Sequence, residues 1–226
     1  MRAKTDAIVV STYPYKESSL LIKMYTESFG LQTYLENGVR SAKGKTKMAF
    51  FQPLTWLEMV VYHDDKKEIH RLSEYKCPYP YQTIPYDVTR SCIALFFAEI
   101  CQKTLKEAVG NPALFKFLRD QLVYFDQQIQ GIENFHLFFL VHFASFLGFE
   151  IPSGIQFQHQ LAEHGIPFRF PELIDHLQGC TTPSQVSFPL GTRKAVLEAL
   201  IWYYKVHIQD FGEVKSWSVL RTVLSA

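Results

Sequence analysis

Residues 30–47, GLQTYLENGVRSAKGKTK, decide how this chain is read. Leu31, Gln32, Thr33, Tyr34 and Leu35 alternate as a strand does, which places neighbouring side chains on opposite faces. Asn37-Gly38 then breaks the pattern with the residues a tight turn demands. A short basic loop follows, carrying Arg40, Lys43, Lys45 and Lys47 with Gly44 among them and no acid between Arg40 and Lys47. A strand leading into a mobile cationic loop suits a twisted sheet beside a polyanion.

The flanking sequence extends the β pattern. Residues 7–11 form a short apolar strand, and residues 18–25 alternate with Leu20, Ile22 and Met24 on one face. Residues 54–62 (LTWLEMVVY) are rich in aromatic and β-branched side chains. Asp64, Asp65, Lys66 and Lys67 make a charged turn, and residues 69–75 return as a fifth strand. Five short strands within about 75 residues fit a small closed barrel of the OB type, whose closure removes sheet edges. The order of pairing is not readable from one sequence, so an SH3-like barrel stays open as the alternative.

Residues 76–85 (KCPYPYQTIP) carry three prolines and read as a linker. Beyond them the period changes to 3.6. Val88, Cys92, Leu95, Phe96, Ile100 and Leu105 mark one helix within residues 86–107. Asn111-Pro112 opens a second, with Asn111 as N-cap. Residues 133–147 are apolar nearly all round and predict the centre of a bundle, stopped by Gly148. Residues 150–192 hold five prolines and four glycines and look irregular, with one short helix over 171–178. Helices are predicted over 192–209 and 216–224. The expectation is an α+β, multidomain chain: a five-stranded barrel over residues 1–78 and an all-helical domain of five or six helices over 79–226.

Composition narrows the function. The 226 residues are 47% apolar and 15% aromatic, enough for a real core. Net charge is +1, but residues 1–76 hold 12 Lys/Arg against 9 Asp/Glu, and residues 77–226 hold 11 against 13. A polyanion-binding surface therefore belongs at the N-terminal end. The apolar window 135–149 has 15 residues, short of the ~20 needed to span a bilayer, and contains His136 and His142. The N-terminal apolar run is too short for a signal peptide.

Catalytic motifs are missing from the sequence: no GxSxG, Walker loop, HExxH or GxGxxG occurs. Residues 38–46 resemble a P-loop in composition only, because the glycine spacing is wrong. Cys77, Cys92, Cys101 and Cys180 form no CxxC pair and suggest neither a zinc ribbon nor a disulfide framework. His63, Asp64, Asp65, Glu68 and His70 are close in sequence, but a hairpin tip explains them better than a metal. An enzyme reading would have to use Glu99, His136 and His142, for which core packing is the better account. Tyr13, Tyr15, Tyr25 and Tyr34 lie on or between the barrel strands, where single-strand binders stack bases, although a core or structural role is the better account of each one taken singly.

An ordered series of short signatures then points to a family. Ala7-Ile8-Val9-Val10 precedes Tyr15-Lys16-Glu17-Ser18-Ser19-Leu20, followed by Tyr25-Thr26-Glu27-Ser28-Phe29-Gly30 and Glu36-Asn37-Gly38-Val39-Arg40-Ser41. Phe51-Gln52-Pro53-Leu54, Phe97-Ala98-Glu99-Ile100, the stretch from Asn134-Phe135 to Leu147-Gly148-Phe149, and Val214-Lys215-Ser216 continue it. The series resembles the bacterial recombination mediator family RecO. That resemblance implies an N-terminal OB-fold, a helical C-terminal domain and no bond-making chemistry. It implies binding of single- and double-stranded DNA, annealing, contacts with RecR and with the acidic tail of single-strand-binding protein (SSB), and help in loading RecA. It also implies a cytoplasmic, nucleoid-associated protein, with no membrane contact and no cofactor. Many members carry a four-cysteine zinc site after the apolar helix; residues 150–165 hold no cysteine, so no metal is expected.

The expected DNA-binding face is Arg2, Lys4, Lys16, Lys23, Arg40, Lys43, Lys45 and Lys47 with Tyr34, Arg2 and Lys4 forming a flexible arm. The expected rim for the SSB tail is Lys103, Lys106, Lys116 and Arg119 on the first two helices. The alternative is a generic OB-fold nucleic-acid-binding module without mediator activity.

Overall fold

The structure is a computed structural model that describes residues 1–40, 45–186, 188 and 190–224; side chains of residues 45, 190 and 224 are outside that description. Five strands, β1 (Arg2–Tyr15), β2 (Ser19–Thr26), β3 (Gly30–Glu36), β4 (Trp56–Tyr62) and β5 (Ile69–Lys76), close a barrel in the order β1-β2-β3-β5-β4. All pairs are antiparallel except β3 with β5, where Thr33, Tyr34 and Leu35 lie opposite Ile69, His70 and Arg71. This is the OB order, and it settles the pairing in favour of that barrel over the SH3-like one.

The first strand is longer than its apolar run suggests. Its first half pairs with β4 and its second half with β2, and a bulge between Val9 and Ser11 lets one strand serve both. The inward set is Ala7, Val9, Leu20, Ile22, Met24, Tyr34, Leu57, Met59 and Val61, joined by Val39 and Phe51 from the β3–β4 connection. That connection contains a short helix α1 (Lys45–Met48) and a 3₁₀ turn (Ala49–Phe51).

Seven further helices follow among the described residues: α2 (Val88–Thr104), α3 (Pro112–Gln127), α4 (Phe135–Phe146), α5 (Gly154–Glu163), α6 (Pro171–Gly179), α7 (Leu190–His207) and α8 (Ser216–Leu224). The chain forms two compact units, Met1–Gln82 with Phe97–Val123, and Thr83–Phe96 with Tyr124–Ala226.

Within the barrel-containing unit, the turn after β2 dovetails with the segment before α3. Thr26 is buried and ties the turn by donating to the Gly30 carbonyl at 2.9 Å and accepting from the Phe29 N–H at 3.0 Å. Leu31 N–H donates to Glu107 O at 2.8 Å. A Cβ on Gly30 would lie 2.4 Å from Glu107 O, and one on Gly110 would lie 2.4 Å from Ser28 O, both backbone atoms that cannot swing aside. Asn111 then caps α3, its Oδ1 accepting from Leu114 N–H at 3.0 Å. Gly110→Ala is expected to destabilise by about 1–3 kcal/mol, the range for forcing an extra carbon into filled space. A urea melt at unchanged slope would read this as a lower midpoint.

In the other unit, α4 is buried along nine of its twelve residues, so it is apolar all round because it is surrounded. Tyr204 on α7 donates its hydroxyl to Leu140 O at 2.7 Å. The segment read as irregular holds two helices. Ser153 caps α5, accepting from Gln156 N–H at 3.2 Å, and Gly154 N–H donates to Asp175 Oδ1 of α6 at 2.7 Å. The proline-rich connection is anchored at its end in the same unit. Buried Asp126 accepts from Thr83 N–H at 2.8 Å and Ile84 N–H at 3.0 Å. No helix among the described residues is long and apolar enough to cross a membrane.

Candidate nucleic-acid interface

OB barrels bind oligonucleotides on the β2–β3 face and with the β1–β2 and β4–β5 loops. Register fixes what that face presents here. Leu20, Ile22 and Met24 point inward, so Leu21 and Lys23 point outward. Across the strands, Tyr13, Leu21, Leu35 and Arg71 fall in one row, and Lys23, Thr33 and Ile69 in the next. Tyr13 is 41% exposed, and Lys23 and Arg71 are exposed beside it.

The β1–β2 turn is where the basic residues gather. Lys16 sits in the left-handed region at φ 51°, and its Nζ lies 5.5 Å from the centroid of the exposed Tyr15 ring. Arg40 returns to this turn from the end of β3. Its backbone N–H donates to Ser18 O at 3.0 Å and its Nη1 donates to Lys16 O at 3.3 Å. Two features hold it there: Val39 is buried in the barrel, and Ser19 Oγ donates to Asn37 Oδ1 at 2.9 Å. The turn also carries one acid, exposed Glu17. Exposed Tyr15, Lys16 and Arg40 thus meet, although 24 residues separate the two cations.

The rest of the expected face is distributed differently. Lys47 is exposed on α1 but pairs with Glu36 at 3.2 Å, and Glu36 Oε1 also accepts from Tyr75 Oη at 3.3 Å. The loop without acids is thus met by one from the end of β3. Lys43 lies outside the described residues, and for Lys45 the backbone alone is described, at the start of α1. Arg2 and Lys4 are not a flexible arm. They are the first residues of β1, held by pairing of Arg2 with Tyr62 and Lys4 with Val60. They stand beside β4 and β5, along a cleft of about 390 Å³ lined by Lys4, Asp6, Glu58, Glu74 and Lys76 among others. Arg2 pairs with Glu74 and Lys76 with Glu58, so this face is mixed in charge.

Tyr34 does not belong to the DNA-binding face expected of it and takes the core role instead. It lies opposite Ile22, faces into the barrel and is 0% exposed, so its ring offers no stacking surface. Burial also pushes its phenol pKa upward. Tyr25 points outward yet is buried, and burial raises it to about 12. Tyr13 and Tyr15 keep the exposure that stacking requires. Arg71 and Ile69 join the outward face unexpectedly, although parity along β5 alone would have shown them there.

The β4–β5 connection is a hairpin tip, with Lys67 N–H donating to Asp64 O at 2.9 Å. His63 stacks between Phe29, at 3.9 Å, and His70, at 4.6 Å. Its Nε2 bonds Asp65 Oδ1 at 2.9 Å, and His70 Nε2 bonds Gln32 Oε1 at 3.0 Å. The imidazoles lie face to face instead of converging on a point, and no cluster of three or more potential ligands occurs among the described residues.

The four residues expected for the SSB tail fall in the barrel-containing unit. Lys116 and Arg119 share Asp120, at 2.6 and 2.8 Å, and Arg119 also lies 5.4 Å over the Trp56 ring. Burial alone would raise Asp120, but the bonds from Lys116 and Arg119 outweigh it and hold the carboxyl below its ordinary value. Lys103 pairs with Glu99 at 3.7 Å, and Lys106 is exposed.

Comparison with known proteins agrees with this architecture. A family model described as "Recombination protein O N terminal" matches residues 1–81, and one described as "Recombination protein O C terminal" matches residues 85–153. The chain belongs to the RecO family of DNA repair proteins. It is similar to the DNA repair protein RecO of Flavobacterium psychrophilum, 36% identical with all of both chains covered. It is similar also to those of Flavobacterium johnsoniae, at 32%, and Phocaeicola vulgatus, at 31%, again over the whole of each chain. In this RecO chain two of the stretches that carry the resemblance have structural reasons. Thr26 and Gly30 build the turn that meets Gly110, and Val39-Arg40 carries the cation to the β1–β2 turn.

Proposed function

We propose that this RecO chain is a recombination mediator that binds single- and double-stranded DNA through its barrel and anneals complementary strands. With RecR it would help RecA load onto SSB-coated DNA, in the cytoplasm at the nucleoid. The observation that carries the reading is the meeting of Lys16 and Arg40 at the β1–β2 turn, beside Tyr15 and the Tyr13–Lys23 face. Annealing needs two polyanions brought together. Cations along the barrel face lower their repulsion, and tyrosine rings hold bases without reading sequence, so strands can still search for register. An acidic SSB tail on α3 would have to displace Asp120 to reach Lys116 and Arg119, and Lys106 supplies an exposed charge nearby in sequence.

The deciding experiment anneals complementary strands pre-coated with SSB across a range of salt. Acceleration that fades as salt rises is expected. No acceleration, with or without RecR, would leave only a generic OB-fold binding module.

A further inference from the structure

Helix α7 turns two different faces. Val196, Leu197, Leu200, Tyr203 and Tyr204 are buried. Lys194, Glu198, Trp202, Lys205 and Val206 recur at helical spacing on the opposite side. Trp202 is 43% exposed and Val206 38%, while Lys205 Nζ stands 4.7 Å from the centroid of the indole ring. The indole of Trp202 thus keeps much of its surface open to solvent on the side of the helix away from the core. Charge is localised to the same end of the chain. Residues 190–226 hold five Lys/Arg against three Asp/Glu, whereas residues 124–189 hold one against six.

We infer that the Trp202–Lys205 stripe of α7 is a second single-stranded DNA contact, in which a base stacks on the indole and Lys205 and Lys194 meet the flanking phosphates. A stripe along one helix is convex. It offers a partly exposed ring beside the cation of Lys205, which suits a planar base on a charged backbone better than an apolar peptide anchor that needs a groove. Glu198, which pairs with Lys194 at 3.9 Å, opposes binding and tunes it. The inference goes beyond the barrel reading and rests on it only for a consequence: one contact on each unit gives one chain hold of two strands.

The test is titration with oligo-dT, followed by tryptophan fluorescence, in wild-type protein, in Trp202→Phe, and in the Lys16→Ala/Arg40→Ala protein. Oligo-dT is expected to quench emission in the wild type and in the double variant, and this component is absent from Trp202→Phe. Adding Trp202→Ala to the double variant lowers its remaining affinity by about tenfold, the scale of losing one stacked base. Glu198→Gln strengthens binding. Coincident thermal melts establish that the surface variants fold. Unchanged emission at saturating oligo-dT, or quenching by an acidic peptide in its place, overturns the assignment. Quenching that persists while Lys16→Ala/Arg40→Ala binds like the wild type would sink the barrel reading and leave this one standing.

Discussion

Replacing Lys16, Lys23 and Arg40 together with alanine is expected to flatten the salt dependence of single-strand binding and to slow annealing. Each phosphate neutralised on a single strand contributes about 0.7 to the slope of log K against log salt. Three contacts therefore account for a slope of roughly 2, which over a fourfold change in salt is about a 16-fold difference in affinity. The control is Arg2→Ala with Lys4→Ala. Arg2 is matched by Glu74, and Lys4 lines a cleft with Asp6, Glu58 and Glu74, so removing both leaves the slope nearly unchanged. Total charge loss does not separate these outcomes by itself; position does. Equal slopes for wild type and the triple variant, measured by anisotropy of a labelled oligonucleotide across a fourfold range of salt, would remove DNA from this face.

That distinction depends on information the sequence carries only in part. Strand period identifies the inward residues Leu20, Ile22 and Met24 and hence Lys23 as outward. The same parity, applied one strand further, sends Tyr34 inward with Ile22 opposite it, whereas its aromatic character alone suits a core and a stacking platform alike. Pairing is less legible. Nothing local to Arg2 and Lys4 says that β1 is long enough to reach β4, so in sequence they look like a free arm. Ion pairs across the sheet are invisible for the same reason, as Glu36 and Lys47 are eleven residues apart and meet only because the β3–β4 connection folds back. Helix α5 escapes a sequence reading because Phe157 and Leu161 are its only large buried residues, too few for a periodic signal among prolines and glycines. Where α4 is apolar all round the signal is unmistakable, and so is the capped start of α3.

The same apolar helix carries the group that should make this protein sensitive to acid. His136 is 0% exposed, neither ring nitrogen has a hydrogen-bond partner, and the ring stands edge-on to Phe96 at 6.3 Å. Burial, helped by the positive charge of Arg193, pushes its pKa down to about 3 from the ordinary 6.5. An imidazole whose folded value is depressed binds a proton in the unfolded chain first. Its contribution to stability is therefore complete above pH 6.5 and is lost as the pH falls from 6.5 toward 3. Well below 6.5 the loss runs at about 1.4 kcal/mol per pH unit, which by pH 5 amounts to roughly 2 kcal/mol. Against a total stability on the order of 5–15 kcal/mol, this single residue can decide whether the unit stays folded in mild acid. His142, lowered by burial against the opposing carbonyls of Leu177 and Cys180, adds in the same direction. His136→Leu removes the titrating group and the unpartnered nitrogens together. Urea melts of wild type and His136→Leu at pH 8 and pH 5 should diverge, the variant gaining about 2 kcal/mol on the wild type between the two. Any packing change from leucine is common to both pH values and cancels in that difference, so parallel pH profiles would show that His136 finds a proton-binding partner in the folded protein.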